Sequence, residues 1–80
     1  MMTTLAKLKN GAQSVVKDIH GGHRIRSRLN HLGVHPGDTV EVIRSGYLGG
    51  PVLILMHGAQ VGIGRGMAER IEIETENEEK

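Results

Sequence analysis

The stretch from Leu29 to Val42, LNHLGVHPGDTVEV, constrains the fold more than any other part of the chain. A helix should end at Leu32, because Gly33 can adopt the left-handed conformation that caps helices. The residues HPGD at 35–38 predict a turn, since proline fixes φ and glycine tolerates positive φ. A strand should begin at Thr39, where polar and apolar residues start to alternate. The stretch therefore predicts a helix, a sharp turn and a strand in immediate succession.

Composition favours a small, mainly β domain. The 80 residues include no Phe, no Trp and one Tyr, so the core must be built from Leu, Ile, Val and Met. A chain of this size supports one domain with a thin core. The 12 glycines are more than a helical bundle would use, and they suit a small barrel with tight turns. The absence of cysteine excludes disulfides and thiolate metal sites.

The pattern of the whole chain predicts about five strands and one inserted helix. The strands are expected at 12–19, 39–44, 51–57, 60–63 and 70–75, the helix near residues 23–32, and single helical turns at 3–8 and 67–69. This order of elements fits a mainly β fold with little α content, an SH3-like small β-barrel.

Several residues are expected in the core. In the first strand Val15, Val16 and Ile19 are available, and their imperfect alternation predicts a bulge. The helix should dock through Ile25, Leu29 and Leu32, which lie at i, i+4 and i+7. The apolar run 52–56 predicts a strand that is buried on both faces. Ile71 and Ile73 should point the same way in the last strand.

Charge divides the chain into a domain at 1–75 and a disordered acidic tail at 76–80. Residues 1–65 carry eight Lys and Arg against three Asp and Glu, whereas residues 66–80 carry two against six. The basic body suits nucleic acid, phosphate or an acidic protein surface equally. The longest apolar run is five residues, whereas a membrane span needs about 20, so a cytoplasmic protein is expected.

Histidines are the only candidate soft metal ligands. His20 and His23 flank a pair of glycines, and His31 and His35 lie four residues apart. Neutral imidazole suits Fe(II) or Zn(II), and carboxylates such as Asp38 or Glu41 would complete a site. No pair lies in a regular helical or hairpin frame that would preform a site. The sequence therefore predicts no required cofactor and only weak binding of Fe(II) or Zn(II).

Other surface features point to protein contacts. Arg24, Arg26 and Arg28 fan over the exposed side of the predicted helix, where they suit an acidic partner or simple solvation. Tyr47 and Leu48 stand at the tip of a glycine-rich loop, where apolar residues either contact a partner or fold back on the barrel.

The chain shows no sign of catalysis. Residues 62–66, GIGRG, lack the Lys-Ser/Thr of a phosphate-binding loop. The serines belong to no Ser/His/acid motif, and no pair of carboxylates lies in an apolar frame that would separate their pKa values. A non-enzymatic protein is expected.

An ordered set of motifs resembles the FeoA family, ferrous iron transport protein A. It comprises Leu5, Leu8 and Gly11, then Val16 and Ile19 before two glycines, then LxxLGVxPGDxVxV at 29–42 and GGPVLI at 49–54. The resemblance covers about residues 5–73. It implies an SH3-like barrel with an inserted helix. FeoA-like domains also occur at the C-terminus of iron- and manganese-responsive repressors.

The resemblance also implies a partner and a location. It predicts a small cytoplasmic accessory of FeoB, the membrane ferrous iron transporter with a G-protein domain, held at the inner membrane only through that partner. The candidate contacts are Arg24, Arg28, Tyr47, Leu48 and Arg65. Arg65 follows VGIG at 61–64, where family members carry an apolar run before an arginine, and the two glycines depart from that pattern. Homo-oligomerisation stays open. No nucleic acid is expected.

A nucleic-acid-binding barrel is the alternative. Residues 36–50 also resemble the KOW segment of barrels in translation and transcription-elongation proteins. Base-stacking aromatics are nearly absent, however, since Tyr47 is the one aromatic residue. The helix before the turn also favours FeoA.

Overall fold

The computed structural model describes residues 2–45 and 49–75, and it places their strands in one antiparallel sheet. The elements are β1 Met2–Thr4, a 3-10 turn Leu5–Lys7, β2 Gln13–Ile19, α1 His23–His31, β3 Thr39–Arg44, β4 Val52–Met56, β5 Ala59–Ile63, α2 Arg65–Ala68 and β6 Ile71–Glu74. The strand order is β1-β6-β2-β3-β4-β5. The prediction of a mainly β fold with a helix inserted near residues 23–32 is confirmed, although there are six strands and the sheet does not close.

The additional strand is β1, where the sequence predicted a helical turn over 3–8. Met2–Thr4 pairs antiparallel with β6, and only Leu5–Lys7 forms a 3-10 turn. An isolated turn has little stability of its own, whereas the edge of β6 offers backbone partners to two β-branched threonines. Leu5 then turns inward and is buried.

A bulge in β2 lets two residues three positions apart enter the core. Val16 pairs with Ile73 and Asp18 with Glu72, so Lys17 is one extra residue between two successive pairs. Val16 and Ile19 are both buried as a result. The bulge confirms the prediction made from the imperfect alternation. The expectation that Val15 is a core residue was wrong: it is 36% exposed, because its two neighbours face inward.

Helix α1 docks mainly through Leu29, which is fully buried, with Ile25 half-buried beside it. The expectation for Leu32 was wrong, since it lies at the C-cap and is 39% exposed. Gly33 has φ +87°, the left-handed conformation that the sequence predicted. The chain changes direction at Gly33, and the next residue, Val34, is buried in the core. The Val34 amide donates to the Leu29 carbonyl at 3.0 Å.

The turn and the third strand follow the prediction closely. Gly37 has φ +96°, and the Asp38 amide donates to the carbonyl of His35 at 3.1 Å. In β3, Val40 and Val42 are buried, whereas Thr39 is exposed and Glu41 is partly buried. The expectation that strand β4 is buried on both faces was wrong. One of its faces is buried, and the other is only partly covered.

The bounds of the C-terminal elements differ slightly from their predicted spans. A tight turn at His57 and Gly58, both with positive φ, joins β4 to β5, and the β4–β5 pairing runs without a break past Gly62. Helix α2 begins at Arg65, slightly before the predicted turn at 67–69. In β6, Ile71 and Ile73 are buried on the same face as predicted.

The core is aliphatic, as composition required: Leu5, Leu8, Val16, Ile19, Leu29, Val34, Val40, Val42, Val52, Ile54, Met56, Ile63, Ala68, Ile71 and Ile73. No helix in the described ranges is long and apolar enough to cross a membrane. The predicted acidic tail at 76–80 and the loop tip at 46–48 lie outside the described residues.

Candidate functional site

One cluster of side chains of the types that ligate metal ions lies on the outer face of the β2/β6 pair. His20 Nε2 is 2.9 Å from Glu72 Oε1, and Asp18 completes a group whose ligand atoms all lie within 4.8 Å of one another. Asp18 and His20 are exposed and Glu72 is half-buried. We refer to these three residues as the β2/β6 cluster.

Strand register explains this cluster. Asp18 and Glu72 are direct cross-strand partners because the bulge shifts Lys17 out of the pairing. Lys17 instead reaches Glu74, with Nζ 3.4 Å from Oε1. The Asp18 carboxylate also accepts a 2.8 Å hydrogen bond from the Ile19 amide, which fixes its orientation. The bulge thus places two carboxylates opposite each other where a regular strand would place a lysine opposite a glutamate.

The sequence proposed His20 with His23, and His31 with His35, as ligand pairs. The structure brings His20 to Asp18 and Glu72 rather than to His23. His31 Nδ1 donates to the Ser27 carbonyl at 2.8 Å, and His35 Nε2 donates to Asn30 Oδ1 at 2.6 Å. These two imidazoles therefore hold helix α1 and the turn after it. Metal binding by either predicted pair stays a prediction.

A second group of titratable side chains, which we call the turn cluster, comprises His35, Asp38 and His57. The Asp38 carboxylate accepts hydrogen bonds from the His35 amide at 2.8 Å and from His57 Nε2 at 3.1 Å. The His35 ring Nδ1 lies 3.6 Å from Asp38 Oδ2. The cluster ties the turn at 35–38 to the hairpin turn between β4 and β5.

The hydrogen bonds in the turn cluster set the charge state of Asp38. Desolvation by burial favours the neutral carboxyl, but the His35 amide and the His57 imidazole together outweigh it, so that the pKa of Asp38 is lowered from its ordinary value of 3.8. Asp38 is therefore a carboxylate at neutral pH, and its side chain is only 16% exposed.

The predicted partner contacts occupy different parts of the surface. Arg24 and Arg28 are exposed on α1, and no ion pair involves them within residues 2–45 and 49–75. Arg65 is half-buried at the start of α2, where its Nη1 donates to the Ala6 carbonyl at 3.5 Å. This contact gives Arg65 a structural role beside any role in binding. Tyr47 and Leu48 lie outside the described residues.

A groove runs between helix α1 and the turn that follows it. It has a volume of about 370 Å³ and is lined by Asp18, Ile19, His23, Arg26, Ser27, Asn30, Val34, His35 and Pro36. Its lining includes one carboxylate, one guanidinium and two imidazoles. Asp18 thus borders both this groove and the β2/β6 cluster.

Sequence reasoning identified His20 but missed Asp18 and Glu72 as its neighbours. Glu72 is 52 positions away along the chain, so only strand pairing brings it close. The one local signal was the imperfect alternation around Lys17, which predicted the bulge but not its consequence for charge.

Comparison with known proteins decides the family. The FeoA domain model matches residues 3–75. A relative from Methanocaldococcus jannaschii, named Fe(2+) transport protein A, is 38% identical over 73 residues, which are 91% of this chain and 87% of the relative. The chain belongs to the FeoA family. The resemblance to FeoA that was noted in the sequence is therefore confirmed, and the FeoA family is favoured over the KOW alternative.

Solved structures agree with the FeoA assignment. The crystal structure of an iron uptake regulatory protein (FeoA) superposes with a TM-score of 0.84 at 34% identity, covering 92% of this chain and 96% of that one. The manganese regulator SloR superposes at 0.82 but is only 19% identical, and the match spans 34% of its chain. SloR therefore shares the fold alone. The SH3-like fold predicted from the sequence is the FeoA fold.

Proposed function

We propose that this chain is a non-enzymatic accessory protein of ferrous iron uptake that docks on the cytoplasmic face of a FeoB-like transporter. The observation that carries the proposal is the FeoA match over residues 3–75, together with a 38% identical relative named Fe(2+) transport protein A. The protein would act at the inner membrane through this partner.

The basic side of α1 is the proposed docking surface. Arg24 and Arg28 are exposed and carry permanent charge. Docking through exposed charges should be fast and salt-sensitive, because such charges act mainly on the rate of encounter. The acidic residues of β6 lie on the sheet, so the basic surface and the acidic surface belong to different elements.

An accessory protein can regulate a transporter only by binding its states with different affinity. The test is therefore to measure binding of the purified protein to full-length FeoB in nanodiscs, loaded either with GDP or with a non-hydrolysable GTP analogue. We expect affinities that differ between the two nucleotide states, and weaker binding at high salt.

The double variant Arg24→Gln/Arg28→Gln should weaken docking by about tenfold or more, mostly through slower association. Lys7→Gln/Lys9→Gln removes the same charge from another exposed segment and serves as the control. Equal losses in both variants would show that net charge alone acts. No binding in either nucleotide state would refute the proposed function.

A further inference from the structure

We propose that Asp18, His20 and Glu72 form a binding site for one divalent transition-metal ion on the outer face of the β2/β6 pair. This site goes beyond docking on a transporter and does not depend on it. It also differs from either histidine pair suggested by the sequence.

The ligand set and its spacing fit such an ion. One imidazole and two carboxylates suit Fe(II), Mn(II) or Zn(II), which accept mixed nitrogen and oxygen ligands. Ligand atoms at about 2.1 Å from a metal lie about 3 Å apart when they are adjacent in its coordination shell. His20 Nε2 and Glu72 Oε1 are already 2.9 Å apart, and all three ligand atoms lie within 4.8 Å of one another.

The electrostatics of the strand pair also call for a cation here. Asp18 and Glu72 are direct cross-strand partners, and like charges in this position destabilise a sheet. The bulge removes the compensating lysine, since Lys17 pairs with Glu74 instead. A divalent ion between the two carboxylates would convert this repulsion into attraction.

The surroundings set the strength of binding. The His20 side chain is 57% exposed, so water can fill the remaining coordination positions of a bound ion. The Arg70 guanidinium lies nearby, because a Cβ built on Gly21 would be 3.2 Å from its Nη1. A positive charge beside the residue that follows His20 should weaken cation binding.

The turn cluster is the competing location, and its geometry is less suitable. The two imidazoles approach different oxygens of a single carboxylate. Across residues 2–45 and 49–75, the group Asp18, His20 and Glu72 alone brings three ligand atoms within 4.8 Å of one another.

The direct test is calorimetric titration of the full chain with Zn(II), and anaerobically with Fe(II). We expect one saturable site. His20→Ala should weaken it by about tenfold or more, and the isosteric pair Asp18→Asn/Glu72→Gln should do the same while keeping the local hydrogen bonds. His31→Ala, which removes another exposed imidazole, should leave the affinity unchanged.

Paramagnetic Mn(II) provides an independent measurement of where the ion binds, by NMR. Paramagnetic broadening should be strongest for the amides of 18–21 and 70–73 and absent from those residues in His20→Ala. A wild-type chain without saturable binding, or an affinity that is unchanged in His20→Ala, would overturn the proposal. Binding that is lost in His57→Ala but kept in His20→Ala would also overturn it, since the ion would then occupy the turn cluster. None of these three outcomes would bear on docking to FeoB.

Discussion

The β2/β6 cluster and the turn cluster use the same kinds of side chain in opposite proportions. The β2/β6 cluster sets two carboxylates against one imidazole, and the turn cluster sets one carboxylate against two imidazoles. In the first, the carboxylates face each other across a strand pair. In the second, a single carboxylate receives hydrogen bonds from a backbone amide and a ring nitrogen.

This difference separates a structural cluster from a candidate ligand site. Asp38 is satisfied by the protein itself, and its contacts fasten two turns together. Asp18 and Glu72 are brought together by a bulge that moves Lys17 to Glu74, and the exposed imidazole of His20 contacts Glu72. An arrangement that costs stability in the free protein is more often found where a ligand relieves the cost. The predictions below test whether the two clusters contribute to stability with opposite sign.

The largest effect should come from the helix that supports the turn cluster. Leu29→Ala should lower the free energy of unfolding by about 3 kcal/mol, because Leu29 is fully buried and its loss leaves a cavity. Leu32→Ala is the matched control and should cost under about 1 kcal/mol, since Leu32 is 39% exposed. Denaturant unfolding measures both.

Hydrogen exchange on Leu29→Ala would sharpen the comparison further. Amides of α1 should lose more protection than those of β2 and β6, because the β2/β6 cluster rests on the sheet and not on the helix. An equal loss in both regions would show that the two clusters share one cooperative unit.

Asp38→Asn should lower the free energy of unfolding by about 1 kcal/mol at neutral pH, because two hydrogen bonds lose their charged acceptor. The pKa of Asp38 is lowered in the folded state, so its contribution is present above pH 3.8 and disappears as the pH falls through the lower folded value. The acid limb of a stability–pH curve should therefore be shallower in the variant. An unchanged limb would contradict this role.

Asp18→Asn should act in the opposite direction. With a chelator present and at low salt, it should raise the free energy of unfolding by up to about 0.5 kcal/mol, because the cross-strand repulsion with Glu72 is removed. The asparagine can still accept the hydrogen bond from Ile19. The gain should vanish at high salt. A loss of stability instead would mean that the carboxylates are not in conflict.

The smallest effect is expected at the residue that the bulge displaces. Lys17→Gln should change the free energy of unfolding by only a few tenths of a kcal/mol, because the pair with Glu74 is exposed. Lys9→Gln is a matched exposed control. A change above about 1 kcal/mol would show that Lys17 screens Asp18 and Glu72 as well.

Local chemistry explains which parts of the fold could be predicted. The turn at Gly37 and the alternation of Val40 and Val42 are encoded by neighbouring residues, and β3 was predicted with its observed bounds. Strand β1 was not, because its stability comes from pairing with β6 at the other end of the chain. Leu32 was misplaced because the helical period continues past the point where Gly33 reverses the backbone.

The same reasoning applies to the candidate sites. A single sequence shows that His20 follows a predicted strand, but it does not show which residue faces it. That neighbour depends on strand order and on the bulge, and both are properties of the assembled sheet. The contacts of Asp38 with His57 were missed for a similar reason, since two separate turns meet there.

The extra residue in β2 also matters for comparing this chain with its relatives. In a relative whose second strand is regular, one fewer residue separates the inward positions equivalent to Val16 and Ile19. An alignment that matches such strands letter by letter would place Lys17 or Asp18 in the wrong column. Whether a relative carries an acidic residue opposite Glu72 must therefore be decided by superposing the strands, not by reading down a column of letters.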